Sequence, residues 1–258
     1  MKSFRTYLDQ MNQLAESVDD LDMKFLSNAE KVSSFNLVAK DFETLQYKKE
    51  LQFLFTKHFF PDMNTNDFLD KIDQNKFNNV IAKLKALDFK NFVKLHKYGL
   101  KGIGPGEVLM FYVLNNGHLG GGSSAGIDLI DNNVKYEIKA VEVTSKGYAN
   151  QFKVGGTFDI SGIMFKAMAL KKKVGAKGEG VNTTTIKMII SEFPKEWESV
   201  VQEFRDVTYK NYFSKHPIIF MRNSTKKIGE IVAIKNVKKS DIELDRITSG
   251  TIKPMVKL

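Results

Sequence analysis

Hydrophobic positions recur at helical spacing through the first hundred residues and change pattern after residue 117. "FRTYLDQMNQLAESV" places apolar side chains three or four positions apart, and "DFETLQYKKELQFLFTKHFF" repeats this pattern before Pro61. "NTNDFLDKIDQNKFNNVIAKLKAL" predicts two short helices, the first of them capped by Asn64 or Thr65. The segment carries charge of both signs and no evident chemistry. Residues 1–100 are therefore predicted to form a helical docking or recognition region.

The rest of the chain predicts strands and helices in succession. "IDLIDNNVKYEIKAVEV" predicts two strands around an Asn-Asn turn, and "SGIMFKAMALKKK" predicts a helix capped by Ser161. "TTTIKMIISEF" predicts a β-branched strand, and "PKEWESVVQEFRDVTYKNYF" predicts a helix with Pro194 at its first position. "PIIFMR" and "GEIVAIKNV" predict two more strands. This order predicts an α/β or α+β domain over residues 101–258, with helices flanking a mixed sheet.

The predicted hairpin places two carboxylates opposite each other. If Asn132-Asn133 is a two-residue turn, Asp128 pairs with Glu137 and Gly126 pairs with Lys139. Because side chains alternate between the two faces of a strand, the hairpin has an apolar face and a charged face. The apolar face, predicted to lie on the core, holds Ile127, Leu129, Val134, Tyr136, Ile138 and Ala140. The charged face holds Gly126, Asp128, Ile130, Lys135, Glu137 and Lys139.

A divalent cation supplies a physical reason for this pairing. Opposed like charges destabilise a strand pair, and a cation between Asp128 and Glu137 removes that repulsion. Mg²⁺, or Mn²⁺ in its place, lowers the pKa of a bound water and offsets charge that develops on a phosphate. Lys139, next to the acids, is placed to orient or help deprotonate that water. The alternative is a plain surface hairpin, since Glu-x-Lys recurs by chance in a lysine-rich chain.

Asp128, followed on the next strand by Glu137-Ile138-Lys139, resembles the PD-(D/E)xK nuclease superfamily. The resemblance covers residues 102–222 and implies a restriction-endonuclease-like core, which is a mixed sheet flanked by helices. It implies that Asp128, Glu137 and the main-chain carbonyl of Ile138 bind the metal. It also implies that Lys139 is the catalytic lysine.

The stretch "GLKGIGPGEVLMFYVL" admits two interpretations. Many members of the superfamily carry a further acid on the helix before the hairpin, and Glu107, just after Pro105, fits that position as a metal ligand. Alternatively, "LKGIGPGE" resembles a helix-hairpin-helix turn, which binds DNA phosphates through backbone N–H groups. A carboxylate in the first helical turn would repel such a phosphate, which favours the metal-binding interpretation. One departure from the superfamily pattern is Ile127, which stands where many members have proline.

Composition and charge narrow the choice of partners. The formal net charge is +9 and the sequence pI is about 9.4, which favours a polyanion such as DNA. The absence of cysteine excludes disulfides, thiolate zinc sites and cysteine nucleophiles. No apolar run approaches the ~18 residues of a membrane span, and the N-terminus lacks the layout of a signal peptide. The sequence therefore predicts no membrane partner and a cytoplasmic protein of a bacterium or a phage-infected host.

Polar side chains beyond the acids are candidates for DNA contact. They are Lys135, Gln151, Lys171, Lys172 and Lys173. For the three consecutive lysines, solvated charges that complement the end of a helix are an equal alternative. For Gln151, an ordinary loop is the simpler interpretation.

These observations predict a Mg²⁺-dependent deoxyribonuclease, with endonucleolytic cleavage of DNA phosphodiester bonds expected. Double-strand cutters of this type often pair two active sites, which makes a homodimer a further expectation. Two other functional classes are alternatives. One is a non-catalytic DNA-binding protein that uses the turn at 100–107, and the other is a structural phage or complex component that keeps a nuclease-like fold.

Overall fold

The computed structural model describes most of the chain beyond residue 58. The described residues are Gln52, Thr56, 59–96, 104–122, 127–152, 154, 160–224, 227–248 and 251–258. The first predicted helix and most of the second lie outside these residues. By its contacts the chain divides into two compact units, the first ending at Leu119 and the second beginning at Gly120. The helix that carries Glu107 thus belongs to the first unit, whereas the sequence grouped it with the nuclease-like part.

Helices make up most of the described part of the first unit. They are α1 (Gln74–Leu87), α2 (Phe89–His96) and α3 (Pro105–Val113), preceded by a 3₁₀ turn at Thr65–Asp67. The two short helices predicted here are therefore one 3₁₀ turn and one longer helix. The side chain of Asp73 caps α1 by accepting a hydrogen bond from the Lys76 N–H at 2.9 Å. The buried side chains of α1 recur at helical spacing and form its core-facing stripe: Phe77, Val80, Ile81 and Leu84.

Strands and helices follow in the rest of the described chain. In order these are β1 (His118–Gly122), β2 (Ile127–Asp131), β3 (Val134–Val143), β4 (Tyr148–Asn150), α4 (Ser161–Lys173), α5 (Thr183–Glu192), α6 (Pro194–Thr208), β5 (Ile218–Arg222), β6 (Ile231–Lys235), β7 (Ile242–Thr248) and β8 (Thr251–Lys257). A π-helical turn at Tyr209–Phe213 extends α6, and a 3₁₀ turn at Lys239–Asp241 precedes β7. The predicted combination of helices with a β-sheet is confirmed.

The strands form one sheet in which β3 is the central member. The order is β1-β2-β3-β4-β8-β7, and β5 also pairs with β3 and carries β6 on its other side. β3 and β5 run parallel, with Glu137 beside Ile218, whereas β2 and β4 are antiparallel to β3. The parallel pair requires a crossover, and α4 to α6 lie in that connection.

The predicted hairpin register is confirmed. Asn132 and Asn133 both have positive φ, at 47° and 66°, as a two-residue type I′ turn requires. The observed pairs include Leu129 with Tyr136, which is the predicted register. One further step along both strands places Asp128 opposite Glu137.

The stretch "TTTIKMIISEF" is helix α5, so the strand prediction was wrong. The Asn182 side chain caps the helix by accepting from the Thr185 N–H at 2.9 Å. Thr185 and Ile189, four positions apart, are the buried residues of this helix. β-Branched residues lower helix propensity by only tenths of a kcal/mol, so a cap and a buried stripe outweigh them. Helix α4 forms as predicted, although Ser161 is its first residue and Ile160 occupies the cap position.

The predicted division of β3 into a core face and a charged face is wrong in part. Val134 and Ala140, assigned to the core face, are exposed. Glu137 and Val141, on the opposite face, are buried, and Val141 belongs to the hydrophobic core that α4, α5 and α6 share. The middle of β3 is thus buried on both faces, Ile138 on one and Glu137 with Val141 on the other, and helices pack over the face that carries the acids.

A glycine lets β1 approach the strand that carries Asp128. A Cβ added to Gly120 would overlap the backbone carbonyl of Ile127 and crowd the Asp128 nitrogen. We expect Gly120→Ala to lower the free energy of unfolding by about 2 kcal/mol, because backbone rather than a flexible side chain blocks the methyl group. Urea unfolding followed by circular dichroism measures this.

Gly162→Ala is the matched control: nothing lies within 4 Å of its added Cβ, and it lies inside α4. The control is expected to stabilise by about 0.5–1 kcal/mol, and equal midpoints for the two variants would contradict the close approach.

Candidate active site

Asp128 lies on β2 and is tied to the neighbouring strand through its side chain. Its Oδ2 accepts a hydrogen bond from the Ile138 N–H at 2.7 Å. Burial raises the pKa of Asp128 above its ordinary value, and the charge of Glu137 raises it further. The hydrogen bond from Ile138 and the charge of Lys139 act in the opposite direction. Asp128 and Glu137, the acid pair, therefore repel each other within a largely desolvated part of the sheet.

Glu137 is almost fully buried and has two partners on one oxygen. The Tyr212 O–H donates to Oε1 at 2.6 Å, and Lys139 Nζ lies 2.6 Å from the same oxygen. Lys139 Nζ is also 5.6 Å from the centroid of the Tyr212 ring, within the range of a cation–π contact. Burial raises the pKa of Tyr212 well above its usual value, and Glu137 adds to that effect, so the hydroxyl stays protonated and donates. Glu137, Lys139 and Tyr212 thus form one connected polar group, on which Asp128 acts through its charge.

The π-helical turn at the end of α6 delivers Tyr212 to this group. The Ser214 N–H donates to the Tyr209 carbonyl at 2.9 Å, which is the i→i−5 bond of a π-helix. Phe213 is buried and meets the rings of Tyr212 and Phe152 edge to face, which anchors the turn in the core. Sequence reasoning missed Tyr212. The sequence did offer one signal, because Tyr212 lies shortly before "PIIFMR". A strand that runs parallel to β3 begins at the same end of the sheet as β3, so the residues just ahead of it lie near the start of β3.

His216 lies beside Lys135 at the edge of the same site. His216 precedes β5, two residues before Ile218, and lies close enough to Lys135 and Glu137 for their charges to act on it. Burial lowers the pKa of His216, and the charge of Lys135 lowers it too, whereas Glu137 raises it. Lys135 is exposed, and Lys215 adds a further positive charge nearby. A positive rim therefore borders the acid pair.

The acid pair suits a hard divalent cation in its donor chemistry. Two carboxylates on adjacent strands supply oxygen ligands, and Mg²⁺ commonly uses one or two carboxylates and keeps several waters. The mutual repulsion of Asp128 and Glu137 is what a bound cation would relieve. In the part of the chain that the structure describes, no group of three or more His, Asp or Glu side chains is arranged to hold a metal. The part of the Ile138 carbonyl in metal binding stays a prediction.

Glu107 caps the helix on which it lies. Its Oε1 accepts from the Gly104 N–H at 2.9 Å, and Pro105 occupies the first position of α3, as predicted. One oxygen of this carboxylate is thereby used to satisfy a free N–H at the helix start. Its role as a metal ligand stays a prediction. The first half of the helix-hairpin-helix-like turn, residues 100–103, lies outside the described residues.

The side chains predicted to contact DNA differ in their solvent exposure. Lys171 is buried and its ammonium donates to the Gly178 carbonyl, so the prediction that it contacts DNA is corrected: it fastens the loop after α4. Lys172 and Lys173 are exposed, and Lys173 Nζ lies 5.3 Å from the centroid of the Phe193 ring. Gln151 is exposed and accepts from Arg246 at 2.8 Å.

Comparison with models of protein families, with curated proteins and with solved structures gives no match for this chain. No helix within the described ranges is long and apolar enough to cross a bilayer. The function is therefore inferred from the residues of the site.

Proposed function

We propose that the protein is a Mg²⁺-dependent deoxyribonuclease with a restriction-endonuclease-like core, acting as an endonuclease. The observation that carries this proposal is the acid pair on adjacent strands, with Lys139 Nζ 2.6 Å from Glu137 Oε1. An Asp on one strand and Glu-x-Lys on the next, in a sheet with helices packed on it, is the arrangement that the superfamily resemblance implies. The buried setting of these charges also favours a functional site, since two buried carboxylates on adjacent strands cost stability even with partners.

Each side chain has a role that follows from its position. Asp128 and Glu137 hold the cation, with the Ile138 carbonyl as a further ligand. The cation, Mg²⁺ or Mn²⁺, supplies charge neutralisation and an acidified water when it is bound. Lys139 orients the attacking water and offsets the negative charge that builds on the phosphate. In the hydrolysis, a water oxygen bonds to phosphorus while the bond to the leaving oxygen breaks, and that oxygen ends protonated.

The positive rim supports a polyanionic substrate. Lys135 lies next to the acid pair, where the acids alone would repel a phosphate. Its charge, the charge of nearby Lys215 and the net charge of +9 attract the DNA backbone without reading sequence. Exposed Lys172, Lys173 and Gln151 are further proposed backbone contacts, and Lys171 is left out because it is buried.

Cleavage of supercoiled plasmid tests the proposed function. We expect the protein to nick or linearise plasmid with Mg²⁺ or Mn²⁺ and to leave it intact with EDTA. Circular DNA is chosen because an endonuclease cuts it and an exonuclease does not. DNA binding without cutting in either metal would exclude the nuclease and favour the non-catalytic DNA-binding protein. Neither binding nor cutting would favour a structural role.

A further inference from the structure

We propose that Tyr212 is a positioning residue of the metal site, which holds Glu137 so that the carboxylate presents its second oxygen to the cation. The inference rests on the proposed function. Tyr212 lies far from the hairpin in sequence and is not part of the motif that the hairpin carries. It acts through Glu137 and not on the substrate.

The hydrogen-bond pattern of Glu137 is the first support. Both Tyr212 and Lys139 contact Oε1, each at 2.6 Å. Among the described residues no other side chain forms a hydrogen bond or ion pair with this carboxylate, so Oε2 keeps its lone pairs for a further ligand. Two contacts on one oxygen fix the rotation of the carboxyl group, since either contact alone would let it turn.

The packing of the π-helical turn is the second support. Tyr212 is mostly buried, and its neighbour Phe213 is 2% exposed and packs edge to face against Phe152. The bond between Ser214 N–H and Tyr209 O closes the turn around them. π-Helical turns inside α-helices are rare and occur often at functional sites. The tyrosine hydroxyl therefore has a fixed position from which to hold a buried carboxylate.

The arrangement also affects Lys139. While Tyr212 occupies Oε1, the lysine shares that oxygen and need not be the sole counter-group of Glu137. Without the hydroxyl, the Lys139 ammonium would be the remaining partner of a buried carboxylate, and the carboxyl group could rotate about that single contact. The carboxylate would then no longer hold its second oxygen toward the metal, and the lysine that follows it would lose its fixed position.

Tyr212→Phe removes the hydroxyl and keeps the ring that packs on Phe213 and Lys139. We expect the Kd for Mn²⁺, measured by isothermal titration calorimetry without DNA, to rise about tenfold or more. We expect kcat for plasmid cleavage to fall about 10–100-fold while KM for DNA stays within twofold. Tyr209→Phe is the matched control, because it removes a hydroxyl from the same turn that has no hydrogen-bond partner among the described residues. It is expected to behave as wild type in both measurements.

The outcomes separate the two proposals. If wild type binds metal and cleaves DNA, and Tyr212→Phe does both equally well, the positioning role is overturned and the proposed nuclease activity is retained. Metal binding that weakens in Tyr212→Phe, in a protein that cuts no DNA, would support the positioning role and overturn the nuclease. A wild type that binds no Mn²⁺ would overturn both. Equal losses in Tyr209→Phe and Tyr212→Phe would indicate a general effect on the turn and would also overturn the positioning role.

Discussion

Lys139→Met is expected to lower kcat for Mg²⁺-dependent DNA cleavage at least about 100-fold, with DNA affinity close to that of wild type. The ammonium lies 2.6 Å from Glu137 Oε1, where it is placed to act on water and phosphate at the proposed metal site. Methionine keeps the length and apolar stem of the side chain, and the cation–π contact with the Tyr212 ring is lost together with the charge. The substitution thus removes the charge and little else. Cleavage rates come from plasmid assays, and DNA affinity comes from fluorescence anisotropy with EDTA present.

Folding must be controlled in that experiment, because Lys139 is the cationic partner of a mostly buried carboxylate. The two side chains are 19% and 11% exposed, so removing one leaves the other poorly compensated. Circular dichroism at the assay temperature shows whether the variant is folded. Lys146→Met is the matched control, since Lys146 is exposed in the turn between β3 and β4. Equal cleavage by wild type and the Lys139 variant would rule out a catalytic lysine at this position.

The hairpin could be predicted from sequence because its determinants are local. Asn132-Asn133 tolerates the positive φ values that the turn needs, and the turn then fixes the register of Asp128 and Glu137 by counting. The start of α3 at Pro105 and the start of α6 at Pro194 were predicted for the same reason, since proline favours the first helical position.

The remaining features depend on contacts between distant parts of the chain. Tyr212 is 75 residues from Glu137, and only the parallel pairing of β5 with β3 brings them together. The burial of Glu137 follows from the helices that cover β3, which alternation along one strand does not reveal. Helix α5 was missed because the cap at Asn182 and a buried stripe outweighed β-branched composition. In the sequence, Lys171 likewise looked like a solvent-exposed lysine, whereas in the structure its buried ammonium donates to the Gly178 carbonyl.

Asp128→Asn is expected to abolish cleavage and yet to leave the metal-free protein as stable as wild type or more stable. Asparagine is nearly isosteric, and its side-chain oxygen still accepts from the Ile138 N–H. What disappears is a negative charge that burial and Glu137 both disfavour. We expect Tm without metal to rise by up to about 2–4 °C, the effect of ~1 kcal/mol in a chain of this size. The charge that metal binding requires is the charge that destabilises the metal-free fold.

The difference in metal-free stability between wild type and Asp128→Asn should depend on pH with a definite sign. Because the folded-state pKa of Asp128 is raised, its contribution to stability is complete below its ordinary pKa and is lost as pH rises through the folded-state pKa. Wild type and Asp128→Asn should therefore have similar Tm near pH 4 and diverge toward neutral pH, with the variant higher. Thermal unfolding in metal-free buffers across that range measures the divergence. A constant difference at every pH would contradict this account.

Metal is expected to reverse the order of stability at neutral pH. A ligand that binds only the folded state raises Tm in proportion to the logarithm of its concentration over Kd, so Mg²⁺ or Mn²⁺ should stabilise wild type and not Asp128→Asn. Asp131→Asn is the matched control: it is the same substitution on the same strand, three residues on and on the opposite face. Its metal-induced rise in Tm should equal that of wild type. If both variants kept the metal-induced rise, the cation would bind elsewhere, and the acid pair would have to be explained without it.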